Sequence, residues 1–173
     1  MRKRWIIILF IISLLTWGLM HSFRLVKTAN RESNTYGLSQ EVKDRIMRDN
    51  PLGDYENAIK YSLNLSSSLL RFTEKNRINE GEANCIGYAV LCSAICNYVL
   101  ELNNLSQRSR PVVGYVTCLG INICPILQRV VPKRYKNFVK DHDFVELDTD
   151  SYCIYFDASL YDYHLNCTTK RKK

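Results

Sequence analysis

Gly81-Glu82-Ala83-Asn84-Cys85-Ile86-Gly87-Tyr88-Ala89 is the stretch in which the polar run Glu74 to Ala83 gives way to an apolar helix, and the rest of the chain can be read outward from it. Asn84 carries a side-chain acceptor immediately before the recurring residues Ile86, Ala89, Val90, Ser93, Tyr98 and Leu102. It therefore predicts an N-cap for a helix running to about Asn103. The helix is apolar nearly all round, which predicts a deep position in the core. Cys85 then stands at the first helical position. There, free N–H groups and the positive end of the helix dipole favour a thiolate, the reactive form of the side chain. Cys92 and Cys96, four apart on the same helix, are expected as small apolar residues on a buried face.

Upstream, Asp54 predicts the N-cap of a helix over residues 55–73. Tyr55, Ala58, Ile59, Ser62, Leu65, Leu69 and Phe72 recur along it at intervals of three or four. Ser39 predicts the cap of a shorter helix with Val42, Ile46 and Met47 on one face. Asp49-Asn50-Pro51 ends it, because the residue before a proline avoids helical angles. Downstream the periodicity changes. Pro111 to Cys118, Asp141 to Leu147 and Tyr152 to Ala158 are rich in β-branched and aromatic residues at strand length. Helices followed by strands that can pair as hairpins predict an α+β domain, with helices packed on a small antiparallel sheet. Alternation in the second strand puts His142, Phe144 and Glu146 on one face and Asp143, Val145 and Leu147 on the other. A hairpin through Asp148-Thr149-Asp150-Ser151 brings Asp157 beside this strand, since neighbouring strands lie about 4.8 Å apart. An imidazole can take a thiol proton and return it to a leaving group when a third residue fixes its orientation, so Cys85, His142 and Asp157 form a candidate nucleophile, base and orienter.

The ends of the chain read differently. Of 24 basic residues against 17 acidic ones, seven sit at the termini: Arg2, Lys3 and Arg4, then Lys170, Arg171, Lys172 and Lys173. The body is thus neutral despite a net charge of +7, and it lacks the long basic stripe that nucleic-acid binding needs. Residues 1–4 form a basic lead and residues 5–23 (Trp5 to Phe23) an apolar run; at about 1.5 Å per residue the run approaches the roughly 30 Å of a bilayer core. It is expected as a retained transmembrane helix in preference to a cleaved signal peptide. The basic lead stays cytoplasmic, and the domain lies on the extracytoplasmic side. Residues 24–37 are expected as a polar linker, residues 38–169 as the domain, and residues 170–173 as a disordered basic tail. A further concentration of charge, Arg129, Lys133, Arg134, Lys136 and Lys140, is expected as a solvated segment beside the histidine strand. Seven cysteines without a C-x-x-C spacing support neither a zinc ribbon nor a dithiol redox motif, and leave disulfide pairing open.

Taken together, GEANCIGYA (81–89), HDFVEL (142–147) and YFDAS (155–159) resemble the transglutaminase-like superfamily of cysteine enzymes. In that family a glycine-led loop delivers the nucleophilic cysteine at the start of a core helix, with an aromatic and a small residue three and four places on, where Tyr88 and Ala89 stand. Its histidine opens an H-x-aromatic-x-E strand, matched by His142, Phe144 and Glu146. Its aspartate precedes Pro or Ala and then Ser or Thr, matched by Ala158 and Ser159. The chain departs from the family at Asp143 and Phe144, where Ala and Trp are usual. The resemblance, which covers roughly Tyr55 to Leu160, implies acyl transfer at amide bonds by Cys85, His142 and Asp157, with no metal or organic cofactor and a peptide or protein substrate. Hydrolysis is the expected outcome. The alternative is an inactive module that binds a peptide, cell-wall component or partner protein in the same cleft.

Overall fold

The computed structural model describes residues 13, 16–18, 21–31, 36–130, 141–165 and 167–173. Its first strand corrects the expectation of a linker over 24–37. Phe23–Asn30 forms β1 and pairs antiparallel with a later strand from Phe23↔Cys118 to Asn30↔Val112. Polar residues disguise it because β1 is an edge strand: Leu25 is buried, while its other side chains reach the rim or solvent. Most of the expected membrane segment, residues 5–23, lies outside the described residues; of its described part, Phe23 already belongs to the sheet.

Three helices follow, each started by the cap its sequence predicts. In α1, Gln40–Asp49, the Ser39 hydroxyl accepts from the Val42 N–H, and Asn50 closes the helix in the left-handed conformation (φ 45°). Ile46 is fully buried but Met47 is 48% exposed, so the apolar face is narrower than expected. In α2, Tyr55–Leu69, the Asp54 carboxylate accepts from the N–H groups of Glu56 and Asn57 at 3.1 Å each. The helix stops four residues before the expected end. Arg71–Phe72 is instead β2, paired in parallel with β3, Glu82–Ala83, through Arg71 N–H to Gly81 C=O (2.8 Å) and Thr73 N–H to Ala83 C=O (2.9 Å). This ribbon fixes the loop that leads into α3, Cys85–Leu102.

Helix α3 is buried along most of its length, as its all-round apolarity predicts. Tyr88, Cys92, Ile95, Cys96, Val99 and Leu100 are wholly inaccessible. The Tyr88 hydroxyl donates to the Leu70 carbonyl at 2.9 Å and bonds Asp162 Oδ2 at 2.5 Å. Burial pushes the Cys96 thiol up to about 12 and the Cys92 thiol higher still, so both remain protonated packing groups. Among the described residues α3 is the one helix long and apolar enough to cross a membrane, and it is a core helix.

The remaining elements are β4 (Arg108–Cys118), β5 (Ile121–Asn122), α4 (Cys124–Val130), β6 (His142–Asp148), β7 (Tyr152–Phe156), α5 (Ala158–Asp162) and β8 (Thr168–Lys172). The main sheet is antiparallel in the order β1-β4-β6-β7-β8, with β5 folded back on β4. The fold is thus a mixed α+β one, with helices packed on an antiparallel sheet. The sheet curls until its edges meet, and the Leu25 N–H donates to Thr169 Oγ1 at 3.0 Å. On one face Val145, Leu147, Ile154 and Phe156 pack against α2 and α3. Inside the curl lies a smaller cluster of Leu25, Val112, Val116, Phe144 and Tyr155, with Phe144 and Tyr155 edge to face at 5.7 Å.

Strand β8 corrects the expectation of a disordered tail over 170–173. Thr168–Lys172 pairs with the whole of β7. Lys170 lies 4.2 Å from the centre of the Tyr152 ring, and Lys173 Nζ is 2.8 Å from Asp148 Oδ1. A lysine-rich outer strand also guards a sheet edge against pairing with other chains. The basic segment 129–140 lies outside the described residues apart from Arg129 and Val130, which end α4. None of the seven cysteines is disulfide-bonded in the structure.

Three strands are held together by one carboxylate. Glu146 on β6 is buried and receives Lys27 Nζ from β1 at 2.7 and 3.0 Å and Arg110 Nε from β4 at 2.8 Å. Removing a hydrogen-bonded charge that leaves two cations behind costs about 2–4 kcal/mol. Glu146→Ala is therefore expected to lower the unfolding free energy by about that amount in urea titrations. A midpoint unchanged within error would show that the three-strand clamp contributes nothing.

Candidate active site

Cys85 is 8% exposed at the start of α3, with Asn84 Oδ1 accepting from the N–H groups of Ile86 (3.0 Å) and Gly87 (3.3 Å). The loop between β2 and β3 lies directly over this turn. A Cβ on Gly87 would stand 2.0 Å from Asn76 Oδ1 and 2.7 Å from the Ala83 Cβ, so only glycine lets the loop close on the helix. His142 opens β6. Its register partner on β4 is Gly114, where a Cβ would meet the Val26 carbonyl oxygen at 2.0 Å and Phe144 at 2.9 Å. Glycine there allows β1, β4 and β6 to approach closely at the level of the histidine.

The structure brings the three sequence-identified residues together. His142 Nε2 is hydrogen-bonded to Asp157 Oδ2, and the Cys85 side chain lies close enough to the imidazole to help raise its pKa; with Nε2 committed to the aspartate, Nδ1 is the ring atom left for the sulfur. Asp157 is not a strand residue, as the expected strand to Ala158 would have it. Pairing of β6 and β7 ends at Val145↔Phe156, and Asp157 is the next residue, so His142 reaches it diagonally. Asp157 is instead the N-cap of α5. Its Oδ1 accepts from the Ser159 N–H (2.7 Å), the Ser159 hydroxyl (2.7 Å) and the Leu160 N–H (3.3 Å), leaving Oδ2 for the histidine. This gives a physical reason for a small residue and then Ser after the aspartate: Ser159 is a positioning residue.

The electrostatics follow from burial and these bonds. Burial opposes charge on His142, but the Asp157 charge, the hydrogen bond to it and the contact with Cys85 outweigh that and hold the imidazole pKa well above its usual range. For Asp157, burial would raise the pKa, and the His142 charge together with hydrogen bonds from His142 and Ser159 bring it below the ordinary carboxylate value. The pair is therefore imidazolium and carboxylate near neutrality. A protonated imidazole beside a sulfur is the setting in which a cysteine reacts as a thiolate.

A further ion pair lies alongside. Arg31 places Nε 2.6 Å from Asp143 Oδ2 and Nη2 2.7 Å from Oδ1; Asp143 is 1% exposed. The pairing with Asp143 raises the Arg31 pKa, and the Cys85 sulfur is close enough to add to the shift. Burial raises the Asp143 pKa against the opposing pull of Arg31. Arg31 was not identifiable from its own neighbourhood, but a signal existed: strand alternation puts Asp143 on the core face, and a buried acid requires a cation. Among the described residues no group of three or more His, Cys, Asp or Glu is placed to hold a metal ion. Comparison of the chain with protein-family models, curated proteins and solved structures finds no match.

The coupled pair sets a pH signature on stability. His142, with a raised pKa, contributes stability that is complete below about 6.5 and is lost as pH rises through its folded value; Asp157, with a lowered one, contributes above about 3.9 and loses it as pH falls. The difference in unfolding free energy between wild type and Asp157→Asn is expected to be largest between about pH 4 and pH 6.5 and to shrink on both sides. Urea titrations across pH check this, and a difference that keeps growing above neutrality would contradict the assignment.

Proposed function

We propose that the chain is a membrane-anchored, transglutaminase-like cysteine enzyme that hydrolyses peptide or other amide bonds on the extracytoplasmic side. The observation that carries the reading is the hydrogen-bonded series Ser159, Asp157, His142, in which each group orients the next, with the Cys85 side chain beside the imidazole. The Cys85 thiolate attacks the amide carbonyl carbon, and the developing oxyanion takes a hydrogen bond from the Cys85 N–H at the helix start. His142 gives its proton to the amine nitrogen as the C–N bond breaks, which leaves a thioester on Cys85 and a neutral imidazole. The imidazole then accepts a proton from water as the oxygen attacks the thioester, and the acid leaves with the thiolate regenerated. Asp157 keeps Nδ1 turned toward the sulfur and balances the imidazolium charge. The charge-free run Trp5 to Phe23 supports the anchor. Because β1 begins at Phe23, such an anchor would hold the domain directly against the bilayer, with no spacer.

Turnover of a mixture of fluorogenic peptide amides by the full chain in nonionic detergent tests this. Cys85→Ala is expected to abolish turnover, and His142→Ala to reduce it by at least about a thousandfold. Hydroxylamine should trap the acyl group as a hydroxamate in wild type alone. Turnover that survives in Cys85→Ala, or no turnover and no trapped acyl group in wild type, would replace the enzyme with a binding module.

A further inference from the structure

Around Arg31, a cavity of about 400 Å³ lies between α3, the first residues of β4 and the segment that enters α1. Strand β1 pairs with β4 only as far as Val112, so among the described residues the start of β4 has no strand beside it on that side. That edge cannot take another strand. The Ser109 N–H donates to Asn97 Oδ1 (2.7 Å) and its carbonyl accepts from Asn97 Nδ2 (2.9 Å), while Pro111 has no N–H to offer. A ligand here must be recognised by side chains.

The charged side chains among them are predominantly cationic. Arg31, Lys43, Arg108 and Arg110 line the cavity, against Glu101 as the acid among the described lining residues. Arg110 is committed to Glu146, but the other cations keep donors to spare. Arg31 uses Nε and Nη2 on Asp143, and its Nη1 has no acceptor among the described residues. Arg108 is fixed by Nη1 donating to the carbonyls of Leu105 (3.0 Å) and Gln107 (2.8 Å), which leaves Nη2. Lys43 Nζ sits 5.8 Å from the centre of the Tyr98 ring and is paired with no acid among the described residues. Two cations without an acid partner among the described residues, Lys43 and Arg108, beside Arg31 with a donor to spare, describe a receptor for an anion in a concave site. Arg31 joins that receptor to the site, because the same guanidinium that lines the cavity is paired with Asp143, the residue next to His142 on β6.

We infer that this cavity is a substrate subsite for carboxylate side chains, so that the site selects acidic peptide segments next to the amide it cleaves. The inference rests on the reading of the chain as a peptide-bond enzyme. Arg31 meets a carboxylate near the reacting bond, and Lys43 and Arg108 meet further acidic groups along the segment.

Binding can be measured apart from cleavage. With the full chain carrying Cys85→Ala in nonionic detergent, a short rhodamine-labelled peptide of Glu and Ala is compared with its Gln and Ala isostere by fluorescence anisotropy. The Glu peptide is expected to bind at least about tenfold more tightly, as a charge-assisted hydrogen bond supplies, and added salt should narrow the gap. Lys43→Gln with Arg108→Gln should reduce the ratio to below about threefold, whereas Glu101→Gln, which removes an opposing charge without touching a proposed ligand, should increase it. Equal affinity for the two peptides, or a ratio unmoved by either change, overturns the subsite. Preference for Glu without Cys85-dependent cleavage in wild type keeps the subsite and removes the enzyme reading; cleavage without preference does the reverse.

Discussion

The carboxylate of Asp157 is the interaction on which the site depends, because its two oxygens serve two structures. Oδ1 caps α5 and takes the Ser159 hydroxyl, and Oδ2 holds His142. Capping alone is worth about 1 kcal/mol, too little to justify burying a carboxylate, and the His142 pairing alone would leave Oδ1 unsatisfied in the core. Satisfied on both sides, the group can remain ionised at 1% exposure. Its position is also doubly determined. The backbone N–H of Asp157 donates to the Cys167 carbonyl at 2.9 Å, which ties the end of β7 to the start of β8. The short helix, the last strand and the imidazole therefore share one anchor point.

From that point the fold works outward as a set of clamps around His142 and Cys85. Glu146, two turns of the pleat along β6, draws in β1 and β4 through Lys27 and Arg110. The β2 and β3 ribbon, with Glu82 paired to Arg71 (2.9 Å) and Arg77 (2.5 Å), holds the loop over the first turn of α3. Tyr88 joins α3 to the end of α2 and to α5 through its hydroxyl. Cys85 thus sits on the most buried of the described helices, and His142 on a strand fixed on both sides.

What could be read in the sequence was whatever depends on local chemistry. Asn84, Asp54 and Ser39 announce their helices because a cap is a bond between near neighbours. The alternation of His142 to Leu147 separates the two faces of β6, and the spacing of Cys85, His142 and Asp157 picks out a constellation that the structure does assemble. What escaped was set by partners far along the chain. Phe23–Asn30 and Thr168–Lys172 look like linker and tail because an edge strand turns charges to solvent, and only pairing with β4 and β7 makes them strands. Residues 70–73 continue the helical pattern of α2, yet bonds to Gly81 and Ala83 draw them into a ribbon. Arg31 gains its meaning only from Asp143, more than a hundred residues away. Asp157 was found for its chemistry but assigned to a strand, since its capping role appears only when Ser159 and Leu160 are seen turning back on it.

The central claim is that His142 and Asp157 make Cys85 the reactive sulfur of the molecule. Competitive labelling of all seven cysteines by limiting iodoacetamide at about pH 6, well below the usual thiol range near 8.5, with site-resolved mass spectrometry as the readout, tests it most directly. The account predicts that Cys85, although only 8% exposed, is alkylated at least about tenfold faster than the more accessible Cys118 and Cys153, and that His142→Ala removes this advantage. Labelling that follows accessibility alone, with Cys85 slow and indifferent to His142, would contradict it.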